Sequence, residues 1–537
     1  MHGRVCKLDI PLTIFGFRQI IPSGSTPLTS TPKGDIMGNI HRGKIKKQLA
    51  ESVQKNIIRP NLASDLDHSY QSYLDLNKSH AVMLTKKGII SKDVAKEILR
   101  ATQEMAAMGE QPAFPMDPQL EGMYFNLEKY LIDHTSLEIG GQLHTARSRN
   151  DMIATLTRMD NRKVYFLVCE KLNQLRETMI AVAEKNKDAV LAGYTHQQPS
   201  EPITFAQYIS GILAAFERDY ARLSQVFTAL NICPMGGGCM ASTTWDIDTK
   251  LVSDLLGFEK PIDNSIDAVG SRDYVLAILG VLTVMGNTMS RMCTDLYNWS
   301  APEFGYVEVD DSVAICSSIM PQKKNPYTLE YVRGRVGNIL GYFVGGYSAI
   351  KNTPYSNVCD ATGEGPRYLM VGLKDMVGCI ELLIDTLGLI SVNKDRMREN
   401  ALGNFCTAAE LANSLVRSDK ISFRAAHAVV AQVVDYMLVH KLKANEINVS
   451  IVNDSFEKLF GRKTNMSEEQ VKAALDPVAI AMAKIIIGGS AEKEVQRQLE
   501  SRKQQLEADK KEVSERLAKV NAGKELLENE VNALIQS

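Results

Sequence analysis

No two of the nine cysteines in this 537-residue chain stand as a CxxC pair; they fall at Cys6, Cys169, Cys233, Cys239, Cys293, Cys316, Cys359, Cys379 and Cys406. A zinc site lacks its cluster of ligands, and reduced, mostly buried thiols in a cytosolic protein are expected. An excess of charge of either sign is missing too. Sixty-one basic against 63 acidic residues leave a formal charge of -2, which argues against a broad electrostatic field for holding nucleic acid or an anionic membrane. Near the start, "LDIPLTIFGF" lacks the basic lead, the sufficient apolar run and the small-residue cleavage site of a signal peptide, and no membrane span is expected. No GxGxxG or GxxxxGKS follows a candidate strand, and no segment sustains strand-type alternation. The expected location is cytoplasmic, with neither nucleic acid nor membrane as partner.

What is present is helical patterning in a chain that is 45% apolar and 23% charged, values of a soluble globular protein. Residues 1 to about 60 run through "IIPSGSTPLTSTPKGD" into the basic "HRGKIKKQLA", the composition of a poorly packed arm. From Asp65 apolar residues recur at three- and four-residue spacing, with a break at Gly88 and a helix start at Ser91. Proline-free apolar runs over 150–186, 204–230, 273–299, 327–350 and 370–389 predict five long helices ending in polar loops, an all-α bundle. Residues 401–489 predict a smaller helical lobe, with Pro477 near a helix start and Gly488-Gly489 at its end. Beyond it Leu499, Leu506, Val513, Val520, Leu527 and Leu534 stand seven apart. That spacing suits a short coiled coil, a hairpin packed on the body or a solvated tail helix, and Arg502, Asp509 and Lys524 interrupt the second seam.

Three polar islands interrupt these runs. "HTARSRND", 144–151, opens a long helix: Ser148 and Asn150 can cap or orient it, and Arg149 offers a two-pronged grip on a carboxylate where helix N–H groups also favour anions. "GYTHQQPSEP", 193–202, places Thr195 and His196 in a loop, and histidine is the side chain best suited to hold or trade a proton near neutral pH. "SSIMPQKKNP", 317–326, cannot run as regular helix or strand through Pro321 and Pro326. A loop over a cavity is expected there. Ser317 would act as a base only as its alkoxide, a form that nearby lysine charge and helix-end dipoles favour. Lys323 and Asn325 can supply a cation and an amide to an oxyanion. No GxSxG elbow is present.

The stretch "SSIMPQKKNP" resembles the signature loop of the fumarase/aspartase superfamily. "LHTARSRND", "GYTH", "NSIDAVGSRDY", "WSAPEFGYVEV" and "VRSDKISFRAAHAVV" resemble its argininosuccinate lyase branch, in order, over about residues 65 to 500. The resemblance implies a three-domain all-α fold whose long central helices form a tetrameric core, with each active site assembled from three subunits. The domains expected are a helical domain over 61–145, the central bundle over 146–395 and a C-terminal lobe over 396–490, with an N-terminal arm over 1–60 and a helical tail over 491–537 that the resemblance does not cover. It implies anti elimination from a succinyl-type substrate to fumarate, with no metal and no other cofactor. Ser317 matches the base that takes the Cβ proton; Lys323 and Asn325 match the holders of the resulting doubled negative charge. Ser148, Arg149, Asn150 and Thr195 match substrate binders. His196 matches a histidine paired with the glutamate at Glu330, and stands as candidate acid or as charge partner.

The chain departs from this pattern in places. Gly122 and Tyr124 stand where Asp and His are usual, Ala146 and Cys316 where Gly is usual. In "PYSNVCDATGEGPRYLM", Tyr355 can be matched, but the usual Gln falls near Asp360 and the usual Lys near Gly363. The fumarate half looks intact while the leaving-group half is rewritten. The favoured expectation is therefore a relative that splits another N-substituted aspartate, with Asp360 facing the amine. A true argininosuccinate lyase and a non-catalytic, crystallin-like protein are the alternatives.

Overall fold

The computed structural model describes residues 43–45 and 47–537, so most of the expected N-terminal arm lies outside the described residues. The chain is helical from Glu51 onward, passing through one π turn, Gln54–Ile58, into Arg59–His68. Helices α1 (Tyr70–Lys86), α2 (Lys92–Ala107) and α3 (Met123–His134) follow. Ser91 caps α2, its side chain accepting from the Val94 N–H at 3.3 Å.

Five long helices make the body: α4 (Arg149–Lys185), α5 (Phe205–Leu230), α6 (Asp273–Trp299), α7 (Tyr327–Ile350) and α8 (Gly365–Gly388). The periodicity placed four of them to within a residue or two; α8 begins earlier, because Pro366 occupies its first turn, where a missing N–H costs nothing. Leu172, Phe216, Leu279, Met285, Leu373 and Ile380 are fully buried between them, and each such side chain contributes about 1.5–3 kcal/mol by leaving water. By length and composition α6 is apolar enough to cross a membrane, yet it packs inside the bundle against α5, α7 and α8.

The helices run alternately up and down, which defines two ends. At the near end the start of α4 lies by the start of α6, where Arg158 donates to Ser271 Oγ at 3.1 Å. Here α7 finishes, with the Ile350 side chain against Gly365 at the start of α8. At the far end Thr386, near the end of α8, donates to Thr328 in the first turn of α7 at 2.8 Å.

Contrary to the pattern reading, a strand pair is present. Strands β1 (Val190–Thr195) and β2 (Gln198–Thr204) form an antiparallel hairpin at the far end. The first three residues of β1 are all buried, so it carries no alternation for the sequence to show. A minor pair, β3 (Ile315–Cys316) with β4 (Lys324–Asn325), closes the loop 317–323.

A separate apolar cluster around Leu411, Val429, Val433 and Phe456 forms the core of the lobe. The lobe's last short helix ends at Ala483, before Gly488-Gly489. The tail is one continuous helix, α9 (Glu492–Gln536), packed along the body from the far end to the near end. Its 45 residues span about 68 Å at 1.5 Å per residue. Two of the three residues that broke the second heptad seam face ion-pair partners: Asp509 meets Arg176 at 2.6 Å and Arg502 meets Glu217 at 2.6 Å. A Cβ on Gly523 would come within 2.7 Å of Gly257 Cα, so this pair of glycines lets α9 touch the turn before Phe258. Among the described cysteines, all unpaired, five are buried, while Cys239, Cys316 and Cys359 are exposed.

Candidate active site

At the near end the first island divides into anchors and presented groups. His80, buried, donates Nε2–H to Thr145 O at 2.8 Å. Burial, with Arg147 close by, pushes its pKa down to about 3, so the ring is neutral at pH 7. Arg147 donates to Asn77 Oδ1 at 2.9 Å. Tyr124 lies 2.6 Å from Glu128 and 2.7 Å from His144 Nδ1. Since a carboxylate only accepts, the hydroxyl donates to Glu128 and receives His144 Nδ1–H. Ala146 takes φ +62°, a left-handed backbone that costs an alanine about 1–2 kcal/mol; a glycine would adopt it freely.

Asp151 completes the scaffold. One of its oxygens accepts from Ser148 N at 3.0 Å, closing a capping box, and the other accepts from Gly236 N and Gly238 N at 3.1 and 2.9 Å. With Arg147 and Asp151 buried and His144 bonded to Tyr124, Ser148, Arg149 and Asn150 remain as candidates to meet a ligand. Ser148 Oγ lies 3.5 Å from Cys239 Sγ. Arg149 sits 4.6 Å over the Phe125 ring and 3.6 Å from Glu121. Asn150 donates to Cys239 O at 2.9 Å and accepts from Asn357 at 2.6 Å. Asn357 was not foreseen from the sequence; it lies two residues past Tyr355, in the stretch flagged there as rewritten. The Tyr355 hydroxyl donates to Asp267 at 2.5 Å, and Asp360, exposed, opens the π turn Asp360–Glu364 that enters α8.

The far end carries the other residues. His196 and Gln197 form the two-residue tip of the β1–β2 hairpin with φ of +53° and +58°, the backbone of a type I′ turn. Side chains with a Cβ seldom adopt it, and it projects His196 and Thr195 into the open. A cavity of about 380 Å³ lies beside them, lined also by Tyr208, Asp295 and Trp299. Ser317 Oγ accepts from Ile319 N at 3.3 Å and Met320 N at 3.0 Å. Two backbone donors aimed at one hydroxyl oxygen favour its anionic form. Lys324 is engaged by Glu308 and Asp311 at 2.9 and 2.7 Å, whereas Lys323 makes no ion pair among the described residues. Asn325 pairs with Ile315 in the β3–β4 ladder, and Glu330 lies in the first turn of α7. No hydrogen bond or ion pair joins His196 to Glu330 or Ser317 among the described residues.

The candidate residues therefore fall into two groups at opposite ends of one chain. Ser317 precedes the start of α7 and Asp360 follows its end, 24 residues or about 36 Å apart along the helix. Ser148 and His196 are separated in the same way by the 37 residues of α4, about 55 Å.

A family model described as Lyase matches residues 59–341, and one described as Argininosuccinate lyase C-terminal matches residues 405–481. A curated relative, argininosuccinate lyase 1 of Shouchella clausii, is 41% identical over 473 residues, 88% of this chain and 95% of the relative. The chain belongs to the fumarase/aspartase superfamily, on its argininosuccinate lyase branch. The argininosuccinate lyase of Methanocaldococcus jannaschii is 33% identical over 491 residues, 91% of this chain and 99% of that one. Among solved structures, EDDS lyase in complex with formate superposes with a TM-score of 0.82 at 27% identity, covering 92% of this chain and 97% of that one. The superfamily's long-helix bundle is thus the body described above.

Proposed function

We propose that this carbon–nitrogen lyase splits an N-substituted L-aspartate by anti β-elimination, with Ser317 as base, in a homotetramer that completes each site from several copies. The Ser317 alkoxide takes the Cβ proton, and the electron pair spreads onto the adjacent carboxylate, where Lys323 and Asn325 hold the second negative charge. That pair then forms the Cα–Cβ double bond as the C–N bond breaks. Fumarate is left, and the amine departs with a proton from His196 or water. A proton beside a carboxylate is very weakly acidic, so the rate comes chiefly from charges arranged for the dianionic intermediate. The observation that carries this reading is the pair of backbone N–H groups on Ser317 Oγ. Ser318 Oγ has no such partners among the described residues.

Assembly is supported by the separation of the half-sites, which an antiparallel neighbour would bring together, near end to far end. A covering copy is further supported by the middle of α7, where Leu340, Val344 and Tyr347 are half exposed and Gly337 and Gly341 have nothing within 4 Å of an added Cβ. An apolar stripe on a core helix favours burial against another subunit. The unpaired cysteines support a reducing compartment such as the cytoplasm.

The leaving group is read as an amine other than arginine. Glu364 is held by Arg367 at 2.9 Å, while Asp360 has no ion pair among the described residues, which supports reading it as the carboxylate that meets a cationic amine. The second reading, argininosuccinate itself, is favoured by the names of the curated relatives. The test is fumarate release, followed by its ultraviolet absorbance, from argininosuccinate, adenylosuccinate, aspartate and a panel of N-substituted aspartates, and also amine addition to fumarate. Turnover of another N-substituted aspartate well above argininosuccinate supports the first reading, and the reverse order supports the second.

A further inference from the structure

We infer that Asn357 is a positioning residue that, together with the Cys239 carbonyl, fixes which end of the Asn150 amide meets the substrate. The inference rests on the reading above, in which Asn150 grips a substrate carboxylate. A side-chain amide can be turned over, exchanging a donor for an acceptor within the same volume. Near the start of α4 this matters, because the first helix N–H groups already favour an anion and a carboxylate can only accept.

Two partners remove the ambiguity. Cys239 O, a carbonyl, can only accept, and Asn150 Nδ2 donates to it at 2.9 Å. Asn150 Oδ1 must then face Asn357, and Asn357 Nδ2 donates to it at 2.6 Å. Turning Asn150 over would set its oxygen against Cys239 O and its NH₂ against the NH₂ of Asn357, replacing two hydrogen bonds by two repulsions. In the fixed orientation one N–H of Asn150 stays free, and that is the group a carboxylate needs. The stretch that brings Asn357 here is itself tied on both sides. Tyr355 donates to Asp267 at 2.5 Å and lies against Gly270, and Ser356 Oγ reaches Met240 Sδ at 3.8 Å, next to the Cys239 carbonyl.

Asn357→Asp is the discriminating variant, because it keeps the shape, removes the donor and adds a charged acceptor. Asn150 would have to turn its NH₂ to that acceptor, lose its bond to Cys239 O and present an oxygen to the substrate. With a substrate that the wild-type protein turns over, KM is expected to rise about tenfold in Asn357→Ala, the value of one hydrogen bond, and more steeply in Asn357→Asp. Both variants should keep the wild-type melting temperature and a kcat within a few-fold, as loss of uniform binding requires. Asn357→Ser, which retains a donor, should recover part of the affinity. In an Asn150→Ala background the Asn357 changes should add little, since there is no amide left to orient. An unchanged KM in Asn357→Asp, or full additivity with Asn150→Ala, would overturn the positioning role. Failure of the wild-type protein to eliminate any N-substituted aspartate would instead overturn the reading on which it rests.

Discussion

The two ends of the bundle are built differently. At the near end each side chain leading to Ser148 has a fixed partner: His80 on Thr145, Arg147 on Asn77, Asp151 on two glycine N–H groups, Asn357 on Asn150. At the far end Thr195 and His196 project from a hairpin tip, and Ser317, Lys323 and Asn325 sit on a short loop closed by a two-residue ladder. Binding groups gain from rigidity, since an oriented site spends less of its interaction energy on ordering. A base that needs water excluded gains from a loop that can close. The difference suits the proposed site, in which one copy would supply the held carboxylate pocket and another would bring the reactive loop to it.

Ser317→Ala attacks the far half alone. It is expected to lower kcat by about 10²–10⁴, the usual worth of a positioned acid or base, with the helical signal and assembly unchanged. Asn150→Ala damages the near half alone. When the two impaired variants are unfolded together and refolded, hybrid assemblies should turn over faster than either variant alone, because some sites then combine an intact near half with an intact far half. If mixing restores nothing, the two halves do not come from different chains.

Much of this division could be read from the residues, and the reasons for the rest are specific. Spacing located the long helices because each buries a stripe on neighbours, and the island 144–151 stood out because no cap needs so many polar groups. Spacing could not tell that His144, Arg147 and Asp151 are anchors, since their partners are far off in sequence, at Tyr124, Asn77 and the 236–238 turn. The β1–β2 hairpin was missed because its base is buried on both faces. The tail was ambiguous because its heptads are cut by Arg502 and Asp509, whose charges make sense only beside Glu217 and Arg176. Asn357 carries no signal alone, and only its contact with Asn150 singles it out.

Helix α9 ties the two ends together, and its central bond offers the next largest effect. The Arg176 side chain is 1% exposed and Asp509 9%. Asp509→Ala would leave the buried guanidinium with Asn173 at 2.9 Å and the more distant Glu217 carboxylate at 4.0 Å, a loss bounded by the ~3–5 kcal/mol of a fully unpaired buried charge. A lowered urea midpoint with KM and kcat intact is expected, because none of the candidate site residues lies on α9. A selective change in KM would mean that α9 holds the near half in place rather than bracing the whole body.

The smallest effect comes from acid, and it should act on the near end alone. His80 has its folded pKa depressed from 6.5 to about 3 by burial. As pH falls below 6.5 the unfolded chain takes up a proton that the folded chain refuses, so the contribution is complete above 6.5 and is lost progressively toward 3. Between pH 6.5 and about pH 5 the loss is about 2 kcal/mol, at about 1.4 kcal/mol per unit. A local opening that exposes His80 takes up the same proton, so the segment it ties through Thr145, leading to Ser148, opens more often as the pH falls. Hydrogen exchange at these two pH values should therefore show protection falling in the 77–81 and 144–147 amides while the paired strands 307–308 and 391–392 at the far end keep theirs. Equal loss at both ends would show that the bundle responds to acid as one unit, and that the rigidity of the near half does not hang on this buried histidine.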